Sequence, residues 1–130
     1  MEQNNLTGQW GETVAAQYLR KRKFKILACN YRCRFGEIDL ICKNNSYIVF
    51  VEVKTRKNSD FAQAMEYVDA RKQQRIIATA QMYLAQNETE LQPRFDVIEV
   101  YGSENNPNEK PKLMHMENAF SADQGTGTFR

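Results

Sequence analysis

From Gly36 to Arg56 the apolar and polar residues alternate with a period of two, in two runs that each have the length of a strand. In the first run Ile38, Leu40 and Cys42 share a face, opposite Glu37, Asp39 and Ile41; in the second Tyr47, Val49, Val51 and Val53 lie opposite Ile48, Phe50, Glu52 and Lys54. Lys43-Asn44-Asn45-Ser46 between them has turn chemistry, because asparagine tolerates positive φ and its side chain bonds nearby backbone. The pattern predicts a β-hairpin. With Asn45-Ser46 as a two-residue loop, Asp39 faces Glu52 and Glu37 faces Lys54; with Asn44-Asn45 as the loop, the two acids are diagonal neighbours. Both registers put Asp39 and Glu52 on one face, roughly 5 to 8 Å apart.

The flanking periodicity is helical. Trp10, Val14, Ala15, Tyr18 and Leu19 predict a helix capped by Thr7 and running to Lys23, after a flexible lead-in over residues 1–6. Gly8 and Gly11 fall in its first turns, at about 1 kcal/mol each relative to alanine, which predicts a close approach of backbone or ligand there. Trp10 reads as a packing anchor. Phe24 to Tyr31 predicts a strand, and Asn30 to Phe35 a tight basic turn carrying Arg32 and Arg34.

Beyond Arg56 a stripe of Phe61, Ala64, Met65, Val68, Ile76, Ala80, Tyr83 and Leu84 predicts a long helical stretch with a break near Tyr67 to Asp69, capped by Asp60 or Asp69. A start at Asp69 puts Lys72 in the first turn, within reach of a phosphate; otherwise Lys72 snorkels out of the stripe. Arg94 to Tyr101 is a further strand, and the order strand, helix, strand implies a right-handed crossover and parallel pairing. Lys112 to Met116 predicts a short edge strand on which His115, the sole histidine, reads as a surface residue. A turn through Asn118-Ala119 then docks Phe120, and residues 121–130 lack any apolar period, as a disordered tail does. One domain over residues 7–120 accounts for these elements.

Length and composition narrow the setting. A chain of 130 residues suffices for one domain with its own core. It has no run of 18 apolar residues, and MEQNNLTGQW lacks the apolar core of a signal peptide, so the expectation is a soluble cytoplasmic protein without membrane contact. Cys29, Cys33 and Cys42 form no CxxC pair, which speaks for reduced thiols over disulfides or zinc. The net charge of +2 hides an asymmetry: Arg20 to Arg75 holds 14 Lys/Arg against 6 Asp/Glu, Glu88 to Asp123 only 3 against 8. Basic residues clustered around paired carboxylates suggest a polyanionic partner over a metal site.

The acids supply the chemistry. Two adjacent carboxylates repel unless one is protonated or a cation lies between them. Mg²⁺ takes one or two carboxylates and completes its shell with water and phosphate oxygens. Asp39 and Glu52 interrupt otherwise apolar strands, and Lys54 points at the same spot. Glu12, beside the apolar stripe of the first helix, is either a partner of the helix dipole or a third acid near the metal.

Four blocks in order, GQWGETVAAQYL, NYRCRFGEIDLI, FVEVKTR and RFDVIEV, closely resemble the YraN-like family of uncharacterised bacterial proteins, within the PD-(D/E)XK nuclease superfamily and similar to archaeal Holliday-junction resolvases. The resemblance covers residues 7–120 and implies a restriction-endonuclease-like α/β fold: a three-layer α/β/α core around a central mixed sheet of about four or five strands. Residue by residue, it makes Asp39 the acid at the start of the core, Glu52-Val53-Lys54 the E-x-K motif, and Glu12 the helix acid. Phe61-Ala62-Gln63 departs from the Phe-Gly of many relatives.

The expected activity is Mg²⁺-dependent (or Mn²⁺-dependent) endonucleolytic cleavage of DNA, branched DNA included. Asp39, Glu52, the Val53 carbonyl and Glu12 are expected at the metal, Lys54 at the attacking water, and Arg32, Arg34, Arg56, Lys72 and Arg75 on the phosphate backbone. A non-catalytic nucleic-acid-binding module on the same scaffold is the alternative, and resolvase-like relatives imply a homodimer.

Overall fold

The computed structural model describes residues 2–57, 68–103, 105–106 and 108–122, with side chains from Gly8 onward. In chain order the elements are α1 (Glu2–Lys21), β1 (Lys25–Cys33), β2 (Gly36–Lys43), β3 (Tyr47–Arg56), α2 (Ala70–Gln86), β4 (Gln92–Tyr101) and β5 (Lys112–Phe120). The five strands form one sheet in the order β1-β2-β3-β4-β5. β3 and β4 pair in parallel and the other neighbours antiparallel, the mixed sheet that a single helical crossover demands.

The alternation seen in the sequence sorts side chains onto two helix-covered faces. Leu40, Cys42, Val49, Val51, Ile98 and Val100 pack with Ala15, Ala16 and Leu19 of α1, and Ile41, Ile48, Phe50, Phe95 and Val97 with Ile76, Ile77 and Ala80 of α2. Burying each such aliphatic or aromatic side chain contributes roughly 1.5 to 3 kcal/mol. The result is an α/β fold with a restriction-endonuclease-like core. Ile38 departs from its expected face and joins the α2 layer, where the β1–β2 hairpin passes beneath Arg75 and Thr79 at Gly36.

α1 begins at Glu2 rather than at Thr7, because Glu2, Gln3 and Leu6 are competent helix formers that continue the ladder upstream. It ends in a Schellman motif: Lys23 takes φ 74, its N–H bonds Arg20 O at 3.0 Å, and Phe24 N–H bonds Leu19 O at 3.0 Å. The two early glycines differ. A Cβ on Gly11 would collide with Thr55 Oγ1 of β3, so the close approach is between helix and sheet, whereas nothing lies within 4 Å of a Cβ on Gly8. Trp10 packs against the α1-side core and over Gly102.

Both outer strands are longer than expected. β1 continues through Asn30 to Cys33, so the turn shrinks to Arg34-Phe35; Asn30 stays in the strand with φ 54, and a bulge lies between Ile26 and Ala28. β5 extends past Met116 to Phe120, with a shift in register opposite Phe95 to Val97 and with Asn118 at φ 54. Phe120 is docked as expected, and Ala122 packs in the same core, two residues into the supposed tail. Residues 123–130 lie outside the described residues, as do Asp60, Phe61, Ala64, Met65, Tyr67 and the Phe61-Ala62-Gln63 departure.

His115 is not a surface residue. Its side chain is 6% exposed: Nε2 lies 2.8 Å from Asp96 Oδ2, and Nδ1 lies 2.9 Å from the Tyr18 hydroxyl. Asp96, fully buried in β4, also accepts Arg94 Nε at 2.9 Å, Arg94 Nη2 at 2.8 Å and the Asn118 N–H at 3.0 Å. Burial would raise the Asp96 carboxyl, but the bonds from His115, Arg94 and Asn118 hold it below its ordinary value. This knot ties α1, β4 and β5 together. All three cysteines are free, with Cys42 buried.

Candidate metal and nucleic-acid site

The hairpin register settles where the acids meet. Asn44 N–H bonds Tyr47 O at 3.0 Å, and Asn44 Oδ1 accepts from Ser46 N at 2.9 Å and Tyr47 N at 2.8 Å, which fixes Asn45-Ser46 as the loop. The pairs Lys43↔Ile48, Cys42↔Val49, Ile41↔Phe50 and Leu40↔Val51 follow, and pairing ends there. Beyond Leu40↔Val51 the strands fork, and Asp39 and Glu52, the next residue of each, line one cavity at the mouth of that fork. Asp39 Oδ2 spans it, accepting the Val53 N–H at 2.8 Å. A strand residue's N–H and C=O point to the same side, so the Val53 carbonyl faces this fork as well.

The site is electrostatically unbalanced. Burial first, then the charge of Glu52, with smaller contributions from Glu12 and Glu37, pushes the Asp39 carboxyl up to about 8 against the pull of the Val53 N–H. Glu52 is 8% exposed and meets the Lys72 ammonium at 2.6 Å. Burial alone would lower Lys72, yet its hydrogen bond and charge pairing with Glu52 hold it above its ordinary value.

Asp69 caps α2, accepting the Lys72 N–H at 2.9 Å, and this start places Lys72 in the first turn, over the fork. Gly36, Glu37, Asp39, Glu52, Asp69, Arg71, Lys72 and Arg75 line a cavity of about 450 Å³.

Glu12 approaches from the α1 side. Its Oε1 accepts Asn30 Nδ2 at 3.1 Å, and it lies close enough to Asp39 for the charge of Glu12 to raise the Asp39 carboxyl. Burial is the main reason that it sits above its ordinary value. Asn30 is a site residue that sequence reasoning missed: it stands between Cys29↔Leu40 and Tyr31↔Ile38, hence opposite Asp39, and links that strand to Glu12. An asparagine, strand-averse and tolerant of positive φ, inside a strand pattern was the available signal.

The basic residues divide. Lys72 and Arg75 line the acidic cavity. Arg32 is 74% exposed and 3.5 Å from Glu37, and Arg34 stacks on Phe35 at the hairpin tip. Arg56 instead turns to the core, its Nε 3.1 Å from fully buried Glu99, which also accepts the Tyr101 hydroxyl at 2.7 Å. Lys54 is half-buried beside Glu99 in register, and forms no ion pair among the described residues.

Among the described residues no three His, Cys, Asp or Glu side chains form a ready-made metal cage. The donors nonetheless suit Mg²⁺, which needs only one or two carboxylates and keeps much of its water. A carboxyl raised by burial and by the charge of Glu52, and a lysine drawn onto Glu52, are both signs of a place that attracts positive charge.

The profile of the uncharacterised protein family UPF0102 matches residues 11–100, from midway along α1 to near the end of β4, with all of the acids above. A UPF0102 protein of Caldanaerobacter subterraneus subsp. tengcongensis is 50% identical over 116 residues, 87% of this chain and 93% of its own. One of Alkaliphilus oremlandii is 47% identical over 120 residues, 90% of this chain and 99% of its own. One of Clostridioides difficile is 44% identical over 118 residues, 90% of this chain and 98% of its own. No helix among the described residues is long and apolar enough to cross a membrane.

Proposed function

This chain belongs to the UPF0102 (YraN-like) family, within the PD-(D/E)XK nuclease-like superfamily, and on that footing we propose that it is a Mg²⁺-dependent endonuclease acting on DNA in the cytoplasm. One observation carries the reading: Asp39 and Glu52 line one cavity where β2 and β3 part, with the Val53 N–H bonded to Asp39 Oδ2. Asp39, Glu52 and the Val53 carbonyl would hold Mg²⁺ or Mn²⁺, with Glu12 beside Asp39. Bound there, the ion supplies Lewis-acid polarisation of the phosphodiester and a lower pKa for water.

The chain's own groups do the rest. Lys54, on the same β3 face as Glu52, orients the attacking water and offsets charge on the transferring phosphate. Arg32, Arg34, Lys72 and Arg75 hold backbone phosphates, which position the duplex without reading its sequence. Arg56 supports this surface from its pairing with Glu99. Incubating the protein with linear, single-stranded, flapped and four-way-junction DNAs, with Mg²⁺, with Mn²⁺ and with EDTA, tests the proposal. Metal-dependent cleavage that Asp39→Asn abolishes is expected, and equal activity in mutant and wild type would sink it.

A second reading has its own support. Lys72 already neutralises Glu52, as it would in a DNA-binding module that keeps the scaffold without the chemistry. Such a module binds DNA with an affinity that falls with salt and needs no divalent ion. Calorimetric titration with Mg²⁺ separates the two.

A further inference from the structure

Phe35 stands at the tip of the β1–β2 hairpin with 40% of its surface exposed; among the described residues Met114 is the one other large apolar side chain left so open. The Arg34 guanidinium lies 4.9 Å from the Phe35 ring centroid. The tip is anchored from below: the Phe35 N–H donates to Cys33 Sγ at 3.4 Å, and Gly36, at φ +155, leads the chain into β2 beneath Arg75 and Thr79. Gly36 and Glu37 line the cavity of Asp39 and Glu52, so Phe35 is the chain neighbour of a rim residue. Arg71 and Arg75 line the same rim, and Arg32 meets it through Glu37 at 3.5 Å, so guanidinium groups flank its acids.

An aromatic face presented among guanidinium groups offers a stacking platform to a nucleobase and charge to its phosphate. A continuous duplex keeps its base faces stacked on one another, and such a platform has little to meet there. DNA opened by a bulge, flap or junction exposes a base face at the discontinuity. We propose that Phe35, backed by Arg34, stacks on an unpaired or unstacked base beside the phosphate held at the Asp39–Glu52 fork, and so makes the protein prefer interrupted DNA to continuous duplex. The inference rests on the nuclease reading for its substrate class.

The test is binding without cleavage. Fluorescence anisotropy in EDTA compares a continuous duplex with the same duplex carrying an unpaired bulge that contains 2-aminopurine. Wild type is expected to favour the bulged DNA and to change the 2-aminopurine emission on binding. Phe35→Ala should cut the bulged-to-continuous affinity ratio about tenfold and abolish the emission change, while Phe35→Tyr keeps both. Thermal melting confirms that each variant is folded. Equal affinity of wild type for the two DNAs, or an unaltered ratio in Phe35→Ala, overturns the inference. So does a changed oligomeric state of Phe35→Ala in sedimentation with the ratio intact, which makes the tip a protein contact. With no metal present the assay answers independently of whether the protein cuts, so failure of the cleavage test and failure of this preference are separate results.

Discussion

The Lys72 ammonium lies 2.6 Å from Oε2 of Glu52, so a cation borne on α2 already holds the carboxylate that the proposed activity assigns to Mg²⁺. Lysine and metal therefore compete for one acid. Lys72→Met is expected to bind Mg²⁺ about three- to tenfold more tightly by calorimetry. Without metal the variant is expected to be less stable by about 1 to 2 kcal/mol, a modest loss because the Lys72 side chain is 50% exposed although Glu52 is nearly buried. Unchanged affinity would show that the two cations do not share Glu52.

Asp39 gives the metal-free protein a distinctive pH dependence. Its carboxyl titrates near 8 in the folded chain against an ordinary 3.8, so between those values the folded state holds a proton that the unfolded state has released. Stability contributed by that proton is complete below about pH 4 and is lost as pH rises toward about 8, by at most about 1.4 kcal/mol per pH unit. Urea titrations across this range should show the decline in wild type and a flatter profile in Asp39→Asn. Above pH 8 the variant should be the more stable of the two, at the expense of cleavage.

Lys54→Ala should lower the cleavage rate at least about a hundredfold while calorimetry still detects metal binding, since its proposed role is toward the transition state. A parallel loss of metal binding would place Lys54 in the support of the acids.

The Asp96 knot predicts a purely structural effect. Asp96→Ala leaves the Arg94 guanidinium, 11% exposed, without its bidentate partner, and should cost about 3 to 5 kcal/mol in urea denaturation. Tyr18→Phe, which removes only the bond to His115, should cost about 1 kcal/mol. Neither change touches the fork, so Mg²⁺ affinity of the folded variants should match wild type.

The hairpin acids were legible in the sequence because everything that brings them together is local: a period of two, an asparagine turn and a register fixed within about 20 residues. The partners of those acids were not. Lys72 reaches Glu52 and Glu12 reaches Asp39 from helices on opposite faces of the sheet, and no spacing along the chain encodes which helix covers which face. The burial of His115 was hidden for the same reason, although a signal lay in β4. Asp96 and Glu99 occupy opposite faces of the otherwise apolar run Phe95 to Tyr101, and two fully buried carboxylates require cations from outside it. Arg94 with His115 and Arg56 meet that need, which is why Arg56 faces the core although its position after the E-x-K motif suggested a phosphate.

Each outer strand of the sheet carries one asparagine in the left-handed conformation and one shift of register, Asn30 with the Ile26–Ala28 bulge in β1 and Asn118 with the shift opposite Phe95 to Val97 in β5. Exposed Lys25 and Arg32 on one side and Lys112 and Glu117 on the other add charge to both edges. A visiting strand finds no uninterrupted row of donors and acceptors to copy on either side. The sheet thus ends at five strands by construction, protected against templated stacking of one copy on the next.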